Sequence, residues 1–268
     1  NPILINASSE EEEKYCLLIN TKNETIKYLK GADFGSIGII NDLLFYLHNQ
    51  AVYSYNLTND KKIKISGDKV ILGVKVYENK IYTTSLNSEN NELGYFKYDQ
   101  ISKDYTYIGL TDIKGLASYQ LLPTKKTIAI IDGGNNLYFY SIEKNNVLEI
   151  ESGVKEAQWS TNEEFLAIAK NYEVGFIETK NNNYQKNILA RYSNTITSIH
   201  WHPKNNYLFF TTGGNIKISE LDTRNKINIY NLQKSGDLHD LPIYIDDLGE
   251  YLYYYDSLSE ALRKIYLK

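Results

Sequence analysis

Leu121-Leu122-Pro123-Thr124-Lys125-Lys126-Thr127-Ile128-Ala129-Ile130, Trp159-Ser160-Thr161-Asn162-Glu163-Glu164-Phe165-Leu166-Ala167-Ile168 and Trp201-His202-Pro203-Lys204-Asn205-Asn206-Tyr207-Leu208-Phe209-Phe210 superpose without a gap. Their first residues lie 38 and then 42 positions apart, and a fourth copy, Ile245-Asp246-Asp247-Leu248-Gly249-Glu250-Tyr251-Leu252-Tyr253-Tyr254, follows after 44. Each copy reads as the end of one apolar strand, a polar turn and the start of a second strand. Upstream, Ile39-Ile40-Asn41-Asp42-Leu43-Leu44-Phe45 and Val76-Tyr77-Glu78-Asn79-Lys80-Ile81-Tyr82 follow the same grammar with a tighter turn. Self-similarity at such a period decides the architecture before any single residue does.

Outward from these hairpins each unit continues alike. A third alternating run and a last short strand follow, as in Leu137-Tyr138-Phe139-Tyr140 then Val147-Leu148-Glu149-Ile150, and Ile216-Lys217-Ile218 then Ile227-Asn228-Ile229. Val52-Tyr53-Ser54-Tyr55 then Ile63-Lys64-Ile65, and Cys16-Leu17-Leu18-Ile19 then Thr25-Ile26-Lys27-Tyr28, repeat the pair. No sustained helical stripe interrupts them. Four antiparallel strands in about 40 residues are the signature of an all-β fold, the β-propeller, whose four-stranded blades pack around a central channel. The expected divisions of one domain over residues 1–268 fall near 1–31, 32–68, 69–112, 113–152, 153–192, 193–234 and 235–268, which makes seven blades. Six blades with an appended hairpin, or eight, are the alternative counts. The first blade lacks its innermost strand and the last its outermost, and Pro2-Ile3-Leu4-Ile5 is the candidate to complete the last blade and leave no open edge.

The hairpins Trp159-Ser160-Thr161-Asn162-Glu163-Glu164-Phe165-Leu166-Ala167 and Trp201-His202-Pro203-Lys204-Asn205-Asn206-Tyr207-Leu208-Phe209 resemble those of TolB-like and WD-repeat-like propellers, where the segment reads Trp-Ser-Pro-Asp-Gly before a short strand. The resemblance covers the whole chain as a fold. Periplasmic TolB, bacterial lipoproteins and the propeller domains of prolyl-oligopeptidase-type enzymes share the hairpin. No Trp-Asp pair ends a third strand and no Gly-His pair opens a blade, so the WD-repeat hydrogen-bond tetrad is missing. Gly133-Gly134 and Gly213-Gly214 resemble the double glycine of kelch repeats without its later tryptophan; their expected role is to supply positive φ in the turn between second and third strands. No sialidase box is present.

Composition narrows the chemistry. The 268 residues carry 29 Lys and Arg against 33 Asp and Glu, a formal charge of −4, and only Arg191, Arg224 and Arg263 are arginines. A net acidic chain so poor in arginine excludes nucleic acid as the expected partner. Tyr occurs 25 times and Asn is frequent, the residue usage of an AT-rich genome. Cys16, the only cysteine, leaves no intrachain disulfide and no multi-cysteine zinc site, and reads as a small buried hydrophobe. No apolar run reaches the length of a transmembrane helix. The chain opens at Asn1 and contains no Met, so the expectation is a processed or excised form whose signal peptide or lipid anchor lay in a missing N-terminus.

A search for chemistry returns binding positions rather than a catalytic set. His200-Trp201-His202 has the alternation that puts two imidazoles on one strand face, but His202 falls in the turn-opening slot held by Ser160 and Leu122 in sister repeats. No His48 or His239 spacing completes a metal site. No Gly-x-Ser-x-Gly elbow and no phosphate-cradling loop exists, so no catalytic residue, metal or cofactor is assigned. Glu10–Glu13 reads as a solvated loop, and sequons at Asn6, Asn23 and Asn56 carry little weight in so Asn-rich a chain. The loops entering the inner strands remain. Asp33, Phe34, Asp112, Lys155, Glu156, Asp237, His239 and Asp240 are the candidate binding residues of the loop face at the channel mouth.

The resemblance implies a non-catalytic binding or scaffold propeller, bacterial and extracytoplasmic, engaging a protein or peptide partner. Two other readings stand beside it: a substrate-gating propeller of a larger hydrolase or peptidase, and a propeller enzyme acting through channel-mouth carboxylates and His239.

Overall fold

The computed structural model describes residues 2–8, 14–20, 25–30, 33–40, 43–66, 70–78, 80–86, 91–97, 105–111, 119–180, 184–221, 227–234, 243–256 and 261–267. Among these residues there is no α-helix, and no helix long and apolar enough to cross a membrane. The chain divides into two compact units, Asn1–Gly134 with Tyr138–Glu149, and Asn135–Leu137 with Ile150–Lys268.

In the first unit, β1 (Pro2–Ser8), β2 (Lys14–Asn20) and β3 (Thr25–Lys30) form a three-stranded antiparallel sheet in that order. Four-stranded sheets follow: β4 (Asp33–Ile40), β5 (Leu43–His48), β6 (Ala51–Asn56) and β7 (Lys62–Lys64), then β8 (Ile71–Tyr77), β9 (Lys80–Leu86), β10 (Asn91–Lys97) and β11 (Tyr105–Thr111). The sheet of β12 (Tyr119–Pro123), β13 (Thr127–Asp132), β14 (Leu137–Ser141) and β15 (Asn146–Glu151) comes next in sequence order. Phe45, Val52, Ile71, Val74 and Ile81 pack as one cluster and Leu72, Leu93, Leu121, Ile128, Ile130 and Tyr140 as another.

The second unit contains β16 (Glu156–Trp159), β17 (Phe165–Ala169), β18 (Glu173–Glu178) and β19 (Gln185–Arg191). It continues with β20 (Ile196–Trp201), β21 (Tyr207–Thr212), β22 (Asn215–Glu220) and β23 (Ile229–Lys234), and ends with the three-stranded sheet β24 (Tyr244–Ile245), β25 (Tyr251–Asp256) and β26 (Ala261–Tyr266). Second strands such as β17 and β21 bury residues on both faces, whereas the fourth strand β19 fully buries only Leu189. That gradient follows from sheets stacked face to face: strands covered on two sides lose strict alternation. Phe210 packs with Trp201, Phe176 and Leu208, while its neighbour Phe209 packs with Ile216, Ile245 and Leu252. Both phenylalanines are essentially inaccessible, and burying each stabilises by roughly 1.5–3 kcal/mol.

The repeat is visible in hydrogen bonds. Glu163, Asn205 and Gly249 hold the same place in successive turns, at φ of 60°, 60° and 71°, and their N–H groups donate to Ser160, His202 and Asp246 carbonyls at 2.9, 2.8 and 2.9 Å. This is the glycine position of the Trp-Ser-Pro-Asp-Gly hairpin, occupied twice by side chains that pay a small left-handed cost. The ladders also shift register at matching places, Leu93/Gly94, Val174/Gly175 and Ile216/Lys217, where bulges add twist.

Three expectations need correction. In β12 the turn is two residues tighter than in its sisters: Thr124 N–H donates to Thr127 at 2.8 Å, where Ser160 and His202 reach Phe165 and Tyr207. Thr124, not Leu122, therefore takes the slot of Ser160 and His202. Pro2–Ile5 lies in β1, which pairs with β2 from Pro2↔Asn20 to Ser8↔Lys14, so it belongs to the first sheet and not the last. Positive φ occurs at Gly213 and Gly214, as expected, but in the sister turn Asn135 supplies it rather than Gly133 or Gly134. Cys16 lies in β2 with its side chain outside the described residues, as do Glu10–Glu13 and Asn23. The Asn56 carboxamide accepts from Thr58 and Asn59 N–H groups at 2.8 and 3.0 Å, closing its own turn.

An ion-pair network braces the surface of the second unit. Lys186 Nζ reaches Glu151 at 2.6 Å and Glu173 at 2.9 Å, Lys170 reaches Glu151 at 2.7 Å, and Arg191 reaches Glu173 at 2.8 Å. Burial alone would raise the Glu151 carboxyl, but hydrogen bonds from Lys170 and Lys186 outweigh it and hold the group down to about 2. A carboxyl depressed in the fold stabilises above its ordinary value, and that contribution is lost as pH falls from the ordinary range toward 2. In Lys186→Met the fall in unfolding free energy below pH about 4.5 should be shallower than in the native protein, read by urea denaturation across acid pH. An unchanged slope would remove the network from the account of acid sensitivity.

Candidate functional site

In the second unit, the turns between second and third strands are strapped to the loops that lead into the innermost strands. Val154 N–H donates to Asn135 at 2.8 Å, Tyr192 N–H to Tyr172 at 2.9 Å and Ile196 N–H to Asn171 at 2.7 Å. Thr212 Oγ1 donates to the Asn194 carbonyl at 3.2 Å, and a Cβ on Gly213 would overlap the Asn194 side chain. The straps hold one end of the unit as a fixed platform. Its exposed residues include Ser152, Gly153, Lys155, Asn171, Tyr172, Ser193, Asn194, Thr195 and Gly213. Tyr172 stands out at 53 % exposure, an aromatic ring presented on a two-residue turn whose carbonyls are both bonded. Tyr, Asn, Ser and Gly on a rigid base are the chemistry of surfaces that bind proteins: aromatic anchors with adaptable polar contacts.

Beneath the platform, β16, β20 and β24 are each the first strand of their sheet and carry one edge that no ladder uses. Side chains from each strand cap the next. Glu156 Oε2 accepts from Ile199 N–H at 3.2 Å, Gln158 Oε1 from Trp201 N–H at 2.9 Å, and Ser198 Oγ from Ile243 N–H at 3.4 Å. Burial pushes the Glu156 carboxyl up to about 7, with the Ile199 N–H opposing the rise. His200 donates through Nδ1 to its own neighbour, the Trp201 carbonyl, at 2.9 Å, and its ring meets Tyr244 edge-on at 5.7 Å. Burial lowers the imidazole, so it is neutral at physiological pH, while burial and then Asp247 and Asp246 raise the Tyr244 phenol.

These positions sort the sequence candidates. Lys155 is exposed, with its N–H on the Ala169 carbonyl, and Glu156 is partly buried at the head of β16. Asp33 and Phe34 are the first residues of β4, not loop residues; a bulge after Asp33, opposite Leu47, lets the strand start early, and their side chains lie outside the described residues. Asp112, Asp237, His239 and Asp240 also lie outside them. His200 and His202 do not converge. His202 is in the turn, where Nδ1 accepts from Lys204 N–H at 3.2 Å and Nε2 donates to Gly249 at 3.2 Å, so both nitrogens are spent on folding. Among the described residues no three of His, Cys, Asp and Glu gather as a metal site would need. Tyr172 lies outside the loops that lead into the inner strands, from which the sequence candidates were drawn. The signal was the Asn171-Tyr172 pair between two apolar runs, which is a turn at the same end of the sheet.

No protein-family model matches the chain, and no characterised protein matches it in sequence. Solved structures do match in fold. Hydrazine synthase from Kuenenia stuttgartiensis superposes with a TM-score of 0.67 at 12 % identity, over 98 % of this chain and 94 % of that one. A chain of a mitotic checkpoint complex gives 0.68 at 14 % identity over 98 % and 84 %, and the β-propeller domain of Cps50 (Swd1) from Myceliophteria thermophila 0.63 at 9 % over 100 % and 99 %. The chain therefore has a propeller-like, all-β fold.

Proposed function

We propose that residues 1–268 form a β-propeller domain that works as a non-catalytic binding or scaffold module, extracytoplasmic in a bacterium, engaging a protein or peptide through the loop face of its second unit. The observation that carries the reading is Tyr172, an exposed ring on a turn fixed by two backbone hydrogen bonds. A rigid aromatic on a polar rim loses little entropy on binding and is the usual centre of an interface. The likeness in fold to propellers of protein assemblies, the mitotic checkpoint complex among them, supports it.

A photo-crosslinking amino acid at position 172 in the native host should trap a discrete partner, while the same group at Ile188, exposed on the outer strand β19, should not. Tyr172→Ser should then weaken the purified complex about tenfold or more with no loss of thermal stability. Crosslinks at 188 alone, or unchanged affinity in the Tyr172 variant, would place the interface elsewhere.

A further inference from the structure

We propose that Glu156 and Gln158 form a recognition site for an organic cation, the guanidinium or ammonium end of a basic side chain. The inference rests on the binding face just described, because Glu156 follows directly on the loop that exposes Ser152, Gly153 and Lys155. The two residues are two apart on β16 and so share a side of the strand. Alternate N–H groups of β20, those of Ile199 and Trp201, pin one oxygen of each, which fixes where the remaining acceptor capacity points. A carboxyl group has four lone-pair sites and a carboxamide oxygen two, so both can accept again. Among the described residues no donor reaches Glu156 Oε1.

Among the described residues no positive charge answers this carboxyl. Opposite it on β17 is Ala169; the following Lys170 is held on Glu151 at 2.7 Å. Lys155 is exposed, with its backbone N–H on Ala169. From β20 come Ser198, already accepting from Ile243, and His200, a neutral imidazole; Tyr244 on β24 adds a ring without charge. An enclosed carboxylate with one neutral donor is costly, and a cation arriving from a partner recovers that cost. A metal ion would need more protein ligands than the described residues gather, whereas a guanidinium or ammonium group needs one or two oriented oxygens.

The test uses the purified full chain with ethylguanidinium and butylammonium chlorides as probes and magnesium and sodium chlorides at matched ionic strength as controls; titration calorimetry reads probe binding in the native protein and in Glu156→Gln, and the carbon NMR signal of the Glu156 carboxyl reads its titration in the native protein. The organic probes should lower the midpoint of that titration, and their binding should weaken about tenfold for each pH unit below the midpoint. Glu156→Gln should abolish the effect. The raised carboxyl makes a stability contribution that is present below its ordinary value and lost as pH rises through about 7, so Glu156→Gln, with no charge to form, should gain stability over the native protein in that direction. That gain shows the variant folded and reports on the same group. Probe binding that survives in Glu156→Gln, or a magnesium shift as large as the organic one, would overturn the inference. Tyr172→Ser should leave probe binding unchanged, which separates failure of this site from failure of the loop-face reading.

Discussion

Trp201→Ala should cost roughly 3–5 kcal/mol of folding free energy, the range for deleting a buried aromatic from a packed core. Trp201 is 3 % exposed, its ring lies 6.1 Å from Phe165 and 6.5 Å from Phe176, and its indole N–H donates to the Gln158 carbonyl at 2.8 Å. The substitution opens a cavity between two sheets and removes that hydrogen bond. A domain is stable by only about 5–15 kcal/mol, so the variant should unfold at markedly lower urea and tend to aggregate on expression. Trp201→Phe keeps most of the apolar contact and loses the bond, and should fall between the two. Urea denaturation followed by tryptophan-independent circular dichroism decides it; a loss below about 1 kcal/mol for the alanine variant would mean the sheets close over the gap.

Gly175→Ala should destabilise by about 2–3 kcal/mol, the upper part of the range for overpacking. Gly175 is buried in β18 where the ladder to β19 shifts register, and a Cβ there would stand far inside van der Waals contact with the Asn187 carbonyl oxygen, a backbone atom that cannot swing aside. Relief requires moving β19 or abandoning the bulge. Amide hydrogen exchange should show faster opening at β18 and β19 than in β21, and uniform exchange across the unit would argue against a local origin.

The blades were legible because their signals are local. Alternation in β22 or β14 and the polar turns between strands need no knowledge of distant residues, and the sequence divisions at 69–112, 153–192 and 193–234 enclose the β8–β11, β16–β19 and β20–β23 sheets. The tighter turn at Thr124 was hidden by a gap-free match whose second strands do align, since Ile128 and Leu166 are both fully buried. The placement of β1 depends on pairing with β2, which composition does not specify. Of the candidate positions, the placement of Lys155 and Glu156 at the entry to β16 was legible from the apolar run that follows them. The enclosure of Glu156 was not, because β20, more than forty residues on, creates it through Ile199. Tyr172 lay in a turn that reads like any other until hydrogen bonds fix its direction.

Phe209 and Phe210 are adjacent in sequence yet belong to different clusters. The sheet they sit in is a party wall: neither neighbour can lose its lining without exposing the other's. For such an array the unit of stability is the interface and not the repeat, so cooperativity spreads outward along the stack and weakens toward whichever sheet has only one neighbour. A fragment cut at a blade boundary forfeits half of what each terminal blade contributes, and the shortest autonomous piece of this chain is set by how many shared walls it keeps.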